Sequence, residues 1–527
     1  MTLNNEINHN TSAEVNTQIS SYFDIVDNAI AMSDTNKKYV IDAQASYSPS
    51  APIHAGSFTT FIISPTSDNT ADLYNGFIKA NIKVNLNLDK AITDMSSVSD
   101  KYELNKIWVG FKDSMDSVEK YEILSNGISI YTQNFGPEES FITACGANET
   151  AKRSDVFSKV RHKDVFNEKQ DLARCGAFIS LGTSTSIPNI DIPVKIDLRR
   201  FLPLSNIKYL PAFAGKMELK IMFGTAGLVW CPVGLPANLK HNIGDLSKFV
   251  IPYITTEFSQ IGDNATMWVS ATTASGTTTL TAENRTLSVD RNYEISDTYT
   301  IIPNFGIDND IYSRLVQRYS STQLVFPTQT IHFNPMSNQL NPGRFSSTQT
   351  ITPRFIDSIF FLFPYKQSHH TVFKTPLFHS FQLRCGGYGA VPTIPIRTDG
   401  KDAAFIEVCQ NAMNVNADQT GFNKEVINSL CNTKDLDHCN GLFSNERTSF
   451  FIGLPTETDN TYQQGQTSNT PITYEIIGEI DNNSKYGQSN QTPPLMACLN
   501  DIALMIQVLP NGMPPVVQFG AFDLTSR

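Results

Sequence analysis

The chain has 527 residues, of which 40% are hydrophobic and only 17% are charged, and its formal net charge is −11. A chain of this length supports two to four domains with hydrophobic cores. The acidic balance argues against a protein that coats nucleic acid, because neutralising phosphates requires an excess of lysine and arginine. The 33 phenylalanines and the scarcity of long amphipathic patterns favour an all-β protein with polar, uncharged loops.

Neither a membrane span nor a secretion signal is expected. No apolar run approaches the roughly eighteen residues that a spanning helix needs. The first residues lack the basic and apolar segments of a signal peptide. Eight cysteines spread over the chain indicate reduced thiols rather than a disulfide scaffold. We interpret the N-glycosylation motifs as unglycosylated; they begin at Asn10, Asn148, Asn264, Asn284, Asn482 and Asn490.

Residues 1–36 are predicted to form an N-terminal arm. Apolar side chains recur there at helical spacing, at Val15, Ile19, Tyr22, Val26 and Ile30. Two interpretations remain open at this point. The helix either packs under its own domain or reaches a neighbouring subunit.

The following residues carry strand patterns. Phe77 to Leu88 alternates apolar and polar residues, which predicts a half-buried strand. Leu104 to Phe111 is an apolar run, and Asn126-Gly127 between two alternating segments predicts a hairpin. Residues 265–287, rich in Thr, Ala and Ser, are interpreted as an exposed excursion between strands.

The second half repeats these patterns. Phe355 to Phe363, bracketed by prolines, predicts a strand buried on both faces, and Phe378 to Arg384 predicts the next. This pair lies about half the chain length after Leu104 to Phe111 and its hairpin, which suggests two similar β domains in tandem. We place them at residues 37–312 and 313–527, with a short helix near Asp308 to Tyr319.

The sequence lacks the signatures of the common enzyme classes, including phosphate-binding loops, zinc-protease motifs and nucleophile elbows. We therefore predict no catalytic, cofactor-binding or metal-binding residues and no enzymatic activity. A group of thiols and one histidine has the residue types of a zinc site but no established spacing, so ordinary thiols are preferred; it comprises Cys409, Cys431, His438 and Cys439. His369-His370 is interpreted as a solvated pair. Trp108 and Phe360 are interpreted as core residues rather than a carbohydrate platform.

The pattern of strands resembles double jelly-roll major capsid proteins, such as those of Polinton-like viruses, adintoviruses, virophages and related large DNA viruses. The resemblance is carried by five segments between about residues 50 and 520: Ser57-Phe58, Ala71 to Ile78, Leu104 to Phe111, Phe201 to Phe223 and Ile356 to Phe360.

The resemblance implies two tandem eight-stranded antiparallel jelly rolls, with short helices in loops and an N-terminal arm. It further implies a homotrimer that forms a pseudo-hexameric capsomer and tiles an icosahedral virion shell. Expected partners are neighbouring capsomers, penton proteins and minor capsid proteins, without direct sequence-specific binding of nucleic acid. The protein would be made in the host cytoplasm or nucleus and reside in the virion.

Two other classes of function remain. A secreted β-sandwich adhesin or carbohydrate-binding protein would require a secretion signal, oxidised cysteines and sugar binding. An enzyme on a β-sandwich scaffold is compatible with the fold class, because fold alone does not determine function.

Overall fold

The computed structural model describes residues 22–28, 40–43, 53–65, 69–92, 105–146, 175–232, 258–274, 277–290, 292–373, 376, 378–386, 390–396, 450–455, 468, 470–480, 492–509 and 513–520. The cysteine and histidine group at residues 409–439 lies outside these ranges. The helices are α1 (residues 22–28), α2 (Gly136–Gly146) and α3 (Asn309–Ser321).

All other regular elements within the described ranges are strands or short 3₁₀ turns. The first seventeen strands are β1 Val40–Ala43, β2 Ile53–His54, β3 Phe58–Ile62, β4 Asn69–Asp72, β5 Phe77–Leu88, β6 Lys106–Gly110, β7 Val118–Ser125, β8 Ile128–Gln133, β9 Gly176–Ser180, β10 Ser186–Asp197, β11 Tyr209–Pro211, β12 Met217–Phe223, β13 Val229–Pro232, β14 Ser259–Gln260, β15 Asn264–Ala274, β16 Thr277–Val289 and β17 Glu294–Gly306. The others are β18 Leu324–Pro335, β19 Gly343–Ile351, β20 Ile356–Leu362, β21 Phe378–Cys385, β22 Ala390–Ile396, β23 Ile452–Pro455, β24 Ile472–Ile480, β25 Leu495–Gln507 and β26 Val516–Gly520. The 3₁₀ turns are Ser114–Ser117, Leu198–Arg200, Leu202–Leu204 and Ala212–Ala214.

The second half of the chain has the strand order of a jelly roll. Its two sheets run β18-β25-β20-β23 and β19-β24-β21-β22, with β26 added beside β25. When β18 to β25 are counted one to eight, the orders are 1-8-3-6 and 2-7-4-5. Every pairing is antiparallel. Two four-stranded sheets with this connectivity form a jelly-roll sandwich.

The first half has the same order, with most strands broken in two. Strand β17 pairs with β1/β2 on one side and with β4/β5 on the other. Strands β4/β5 in turn pair with β10/β11, so these strands form one sheet. The opposing strands form two four-stranded sheets, β3-β12-β7-β8 and β14-β13-β6-β9. Strands β1/β2, β17, β4/β5 and β10/β11 again follow the order 1-8-3-6, and β3, β12, β7 and β8 follow 2-7-4-5. The predicted all-β jelly-roll fold is confirmed.

The burial pattern of the strands follows from their sequences. Ile78, Ile82 and Leu86 of β5 are buried while the intervening residues are half-buried or exposed, as the alternation predicted. All residues of β20 are buried, which confirms the interpretation of this segment as a doubly buried strand. Across the second sandwich, Phe361 of β20 meets Phe381 of β21 with ring centroids 6.1 Å apart. Each sandwich therefore has its own apolar core.

Helix α3 connects the two sandwiches. Its N-cap is Asp308, whose side chain accepts a hydrogen bond from the Asp310 N–H at 2.8 Å, as expected for a short polar residue at this position. The domain boundary predicted after residue 312 falls inside this helix and stays a prediction. Helix α1 packs on the same chain, since Tyr22 is fully buried against Tyr319 and Phe326.

The interpretation of residues 265–287 as an exposed excursion was wrong. These residues form most of a long antiparallel hairpin, β15–β16, which extends the first sheet through pairing of β16 with β5. Met267, Val269 and Leu287 are buried in the first core. The abundance of Thr, Ala and Ser suggested a loop, but threonine is a β-branched residue that favours strands.

Candidate functional site: the seam between the two sandwiches

Buried polar and charged side chains collect where the two sandwiches meet, and we call this region the seam. It comprises the 3₁₀ turn Ser114–Ser117 with the preceding residues 112–113, helix α2, the turn Leu198–Arg200, the β14–β15 turn and residues 366–371. The first four belong to the first sandwich. Residues 366–371 follow β20 of the second sandwich and lie across the first.

Both histidines of the pair His369-His370 are bonded to carboxylates of the first sandwich, so their interpretation as a solvated pair was wrong. The His369 Nε2 atom lies 2.5 Å from Asp263 Oδ2, and the same carboxylate accepts a hydrogen bond from Lys366 Nζ at 2.6 Å. The His370 Nδ1 atom lies 2.7 Å from Glu138 Oε1. His369 is only 6% exposed. The two neighbouring rings thus hold two different elements of the first sandwich.

The backbone of His370 and Thr371 is also hydrogen-bonded to the first sandwich. Lys112 Nζ donates to the Thr371 carbonyl at 2.6 Å, although Lys112 is only 7% exposed. The Gln260 carboxamide oxygen accepts from the N–H groups of His370 and Thr371 at 3.3 and 3.4 Å. The Thr371 hydroxyl donates to the Gly227 carbonyl at 3.3 Å. These bonds satisfy polar groups that would be costly to bury alone.

The seam also contains a buried ion pair within the first sandwich. Arg200 Nη2 lies 3.0 Å from Asp113 Oδ2, with both side chains 2% exposed. Asp113 also caps the 3₁₀ turn by accepting from the Met115 N–H at 3.0 Å, while Asp116 Oδ2 accepts from the Asp113 N–H at 3.0 Å. The reciprocal bonds form a capping box. Burial, reinforced by the nearby Asp113 carboxylate, raises the pKa of Asp116 above its usual range.

Glu139 of α2 is the second buried carboxyl with a perturbed pKa. Its oxygens accept from the Tyr121 hydroxyl at 2.9 Å, from Gln133 Nε2 at 2.9 Å and from the Leu202 N–H at 3.2 Å. Burial raises the pKa of Glu139 to about 7, and it outweighs these hydrogen bonds and the Arg200 charge, which act in the opposite direction.

The charged partners of His370 and of Asp263 shift the pKa values of these two groups toward their ionised forms. Burial lowers the pKa of His370. The hydrogen bond and charge of Glu138, together with the charge of Glu119, raise it by more than burial lowers it, so the net shift is upward. Burial raises the pKa of Asp263, yet the bonds from His369 and Lys366 outweigh it and the net shift is downward.

Apolar side chains cross the seam in both directions. Phe141 of α2 belongs to the core of the second sandwich, where its ring centroid lies 4.8 Å from that of Phe373. Conversely, Phe326 of β18 and Leu504 of β25 belong to the core of the first sandwich. The two cores are thus interlocked, and relative motion of the sandwiches would expose apolar surface.

The side chains of the seam bind one another and connect the two sandwiches. Its carboxylates are held by arginine, lysine, histidine or backbone N–H groups, and its aromatic rings are packed against one another. Over the ranges that the structure covers, no cluster of three or more His, Cys, Asp or Glu residues is arranged to hold a metal. Within the same ranges, no helix is long and apolar enough to cross a bilayer.

The other candidate residues lie in the cores. Trp108 and Phe360 are buried, which agrees with their interpretation as core residues. Cys175, Cys231, Cys385 and Cys498 carry free thiols. The seam itself was not predicted, because its partners are far apart in the sequence. The one available signal was the unusual doublet of histidines just after the most apolar strand.

No protein-family model matches the chain, and no curated protein matches it either. Solved structures do match. The major capsid protein of mavirus is 9% identical, with a TM-score of 0.46, over 91% of this chain and 90% of that one. A chain in the structure of the Sputnik virophage is also 9% identical, with a TM-score of 0.46, over 94% and 91%. The Faustovirus major capsid protein is 8% identical, with a TM-score of 0.40, over 90% of each chain.

Proposed function

We propose that this protein is the major capsid protein of a DNA virus and forms the shell of the virion. The proposal rests on one observation in this chain. Two sandwiches with the jelly-roll strand order follow each other, joined by one helix and interlocked at the seam. The family that the sequence resembles has this architecture, and its role is mechanical.

The geometry suits a subunit that must resist mechanical force. In each sandwich, buried strands such as β20 are paired on both sides, so their backbone groups are satisfied. The seam adds hydrogen bonds between the sandwiches, next to an ion pair that is buried within the first one. A subunit held at this many points transmits force without sliding at its internal joint, because packed interiors have low compressibility.

Assembly would follow from the internal duplication. Three chains joined by a heterologous contact that closes would present six similar lobes, which suits a hexagonal lattice. We propose this homotrimer as the capsomer, with neighbouring capsomers, penton proteins and minor capsid proteins as partners. The domain division at residues 36 and 312 belongs to the same proposal. With a net charge of −11, the shell would not bind duplex DNA directly.

Negative-stain microscopy of the purified chain tests this function. The expected particle has a roughly hexagonal outline with six lobes. The adhesin alternative makes a different prediction, which is an elongated monomer or dimer that binds members of a glycan array. Elongated particles that bind glycans would overturn the capsid proposal.

A further inference from the structure

Residues 366–371 of the second sandwich form hydrogen bonds to several elements of the first, and we call them the latch. The latch lies between β20 and β21, yet its side chains and backbone bond to the β14–β15 turn, to α2 and to Lys112 of the first sandwich. Three of its six residues are lysine or histidine: Lys366, His369 and His370.

We propose that the latch is operated by protons, so that it holds the two sandwiches together at mildly acidic and neutral pH and loosens at alkaline pH. This goes beyond the capsid role and does not depend on it, since the latch joins two parts of one chain. In a shell subunit, the same device would make the internal joint sensitive to the pH of the compartment.

The first support is the arrangement of charges. The groups of the first sandwich that face the latch and the adjoining seam are mainly carboxylates, namely Asp263, Glu119, Glu138, Glu139, Asp113 and Asp116, and the cations among them are Lys112 and Arg200. A latch bearing Lys366 and protonated His370 complements this surface. When His370 loses its proton, the latch loses one positive charge, and its attraction to the carboxylates weakens.

The second support is that three groups titrate in the same direction. His370 has a raised pKa, so its contribution is present below about pH 6.5 and is lost as pH rises through its folded value. Glu139 and Asp116 also have raised pKa values, so the folded protein binds their protons more tightly than the unfolded chain does. Raising the pH places uncompensated negative charge inside the seam.

One group acts in the other direction, but in a different pH range. The pKa of Asp263 is lowered, so its contribution is present above the ordinary pKa of an aspartate and is lost only in strong acid. It does not oppose the others between pH values of about 6 and 9. The net effect over that range is a weakening of the latch with rising pH.

Hydrogen exchange followed by mass spectrometry on the full chain tests this inference. Peptides covering the latch are compared with peptides from β20, at pH values between about 6 and 9, after correction for the intrinsic exchange rate. We expect the protection of the latch to fall by roughly tenfold or more across this range, while β20 stays protected. A flat profile for the latch, or an equal loss in β20, would overturn the proposal.

Two variants test whether the pH response comes from proton binding or only from the hydrogen bonds that these side chains form. His370→Gln can still donate to Glu138 but does not titrate, and Glu139→Gln imitates the protonated carboxyl. Both are expected to flatten the pH profile of the latch. Glu218→Gln is the matched control, because Glu218 on β12 pairs with the exposed Lys216, and it should leave the profile unchanged. If neither His370→Gln nor Glu139→Gln flattened the profile, the inference would be wrong.

Discussion

At the scale of single residues, the seam depends on charges that are buried in pairs. Arg200 binds the Asp113 carboxylate and also donates to the Thr143 and Ser140 hydroxyls, at 3.2 and 3.4 Å. A pair of this kind costs free energy to desolvate, so the danger lies in removing one partner. The remaining carboxylate would then be buried without its counter-charge.

We therefore predict that Arg200→Leu lowers the free energy of unfolding by about 3–5 kcal/mol. Lys216→Ala is the matched control, because Lys216 is 56% exposed in its ion pair with Glu218. Its effect should stay below about 1 kcal/mol. Denaturant unfolding of both variants measures the difference, and equal effects would contradict the importance assigned to the buried pair.

A glycine at the start of α2 provides a second residue-scale prediction. A Cβ atom at Gly136 would lie 2.0 Å from the Val118 carbonyl oxygen, so α2 could not keep its position beside β7. Gly136→Ala should destabilise the protein by at least about 1–3 kcal/mol. At Gly182, a Cβ atom would meet no heavy atom within 4 Å, and Gly182→Ala should be close to neutral. Thermal melting compares the two alanine variants, and similar melting temperatures would refute the argument.

At the scale of elements, helix α2 matters because it belongs to one sandwich by sequence and to the other by packing. The ring of Phe141 contacts that of Phe373, and its centroid lies 6.2 Å from the ring centroid of Phe451. Both partners belong to the second core. Its neighbours Glu138 and Glu139 bind the latch and the first sandwich. The helix therefore connects the sandwiches through an apolar face and a polar one.

Phe141→Ala should lower the free energy of unfolding by about 3–5 kcal/mol, because the cavity would open in a packed interface of aromatic rings. Phe178→Ala is the control, since Phe178 is 39% exposed on β9, and should have a much smaller effect. Denaturant unfolding compares the two. A small effect at Phe141 would mean that α2 does not anchor the second sandwich.

The elements also show what the sequence could predict. Strands β5 and β20 were predictable because their alternation and apolar run directly reflect how each face is buried. The two halves have similar strand orders, but the segments that look alike in the sequence are not equivalent strands. Strands β6 and β7 are two parts of the fourth strand, interrupted by the turn Ser114–Ser117, whereas β20 is a third strand. The counterpart of β20 is β4/β5, which alternates because one face is more exposed.

The seam was beyond prediction for a different reason. Lys112 and Thr371, or His370 and Glu138, are separated by more than 200 residues, and no local pattern links them. Their meeting depends on how two finished sandwiches dock. Even so, His369-His370 carried a signal, because two histidines beside a buried strand require partners if they are themselves buried.

At the scale of the whole molecule, the interlocked cores should make the two sandwiches unfold together. Phe141 extends into one core and Phe326 and Leu504 into the other, so unfolding either sandwich exposes apolar surface of its neighbour. We predict a single calorimetric transition for the native chain near neutral pH and two separate transitions for Phe141→Ala. Two transitions in the native chain would contradict this coupling.

The mass of the protein in solution tests most directly whether this chain is a shell subunit. Light scattering on the purified protein should give three times the chain mass of 58.5 kDa, because the tandem sandwiches suit a closed trimer with six lobes. This mass should persist on dilution. A monodisperse monomer or dimer at every concentration would contradict the account, since neither provides the six lobes of a hexagonal tile.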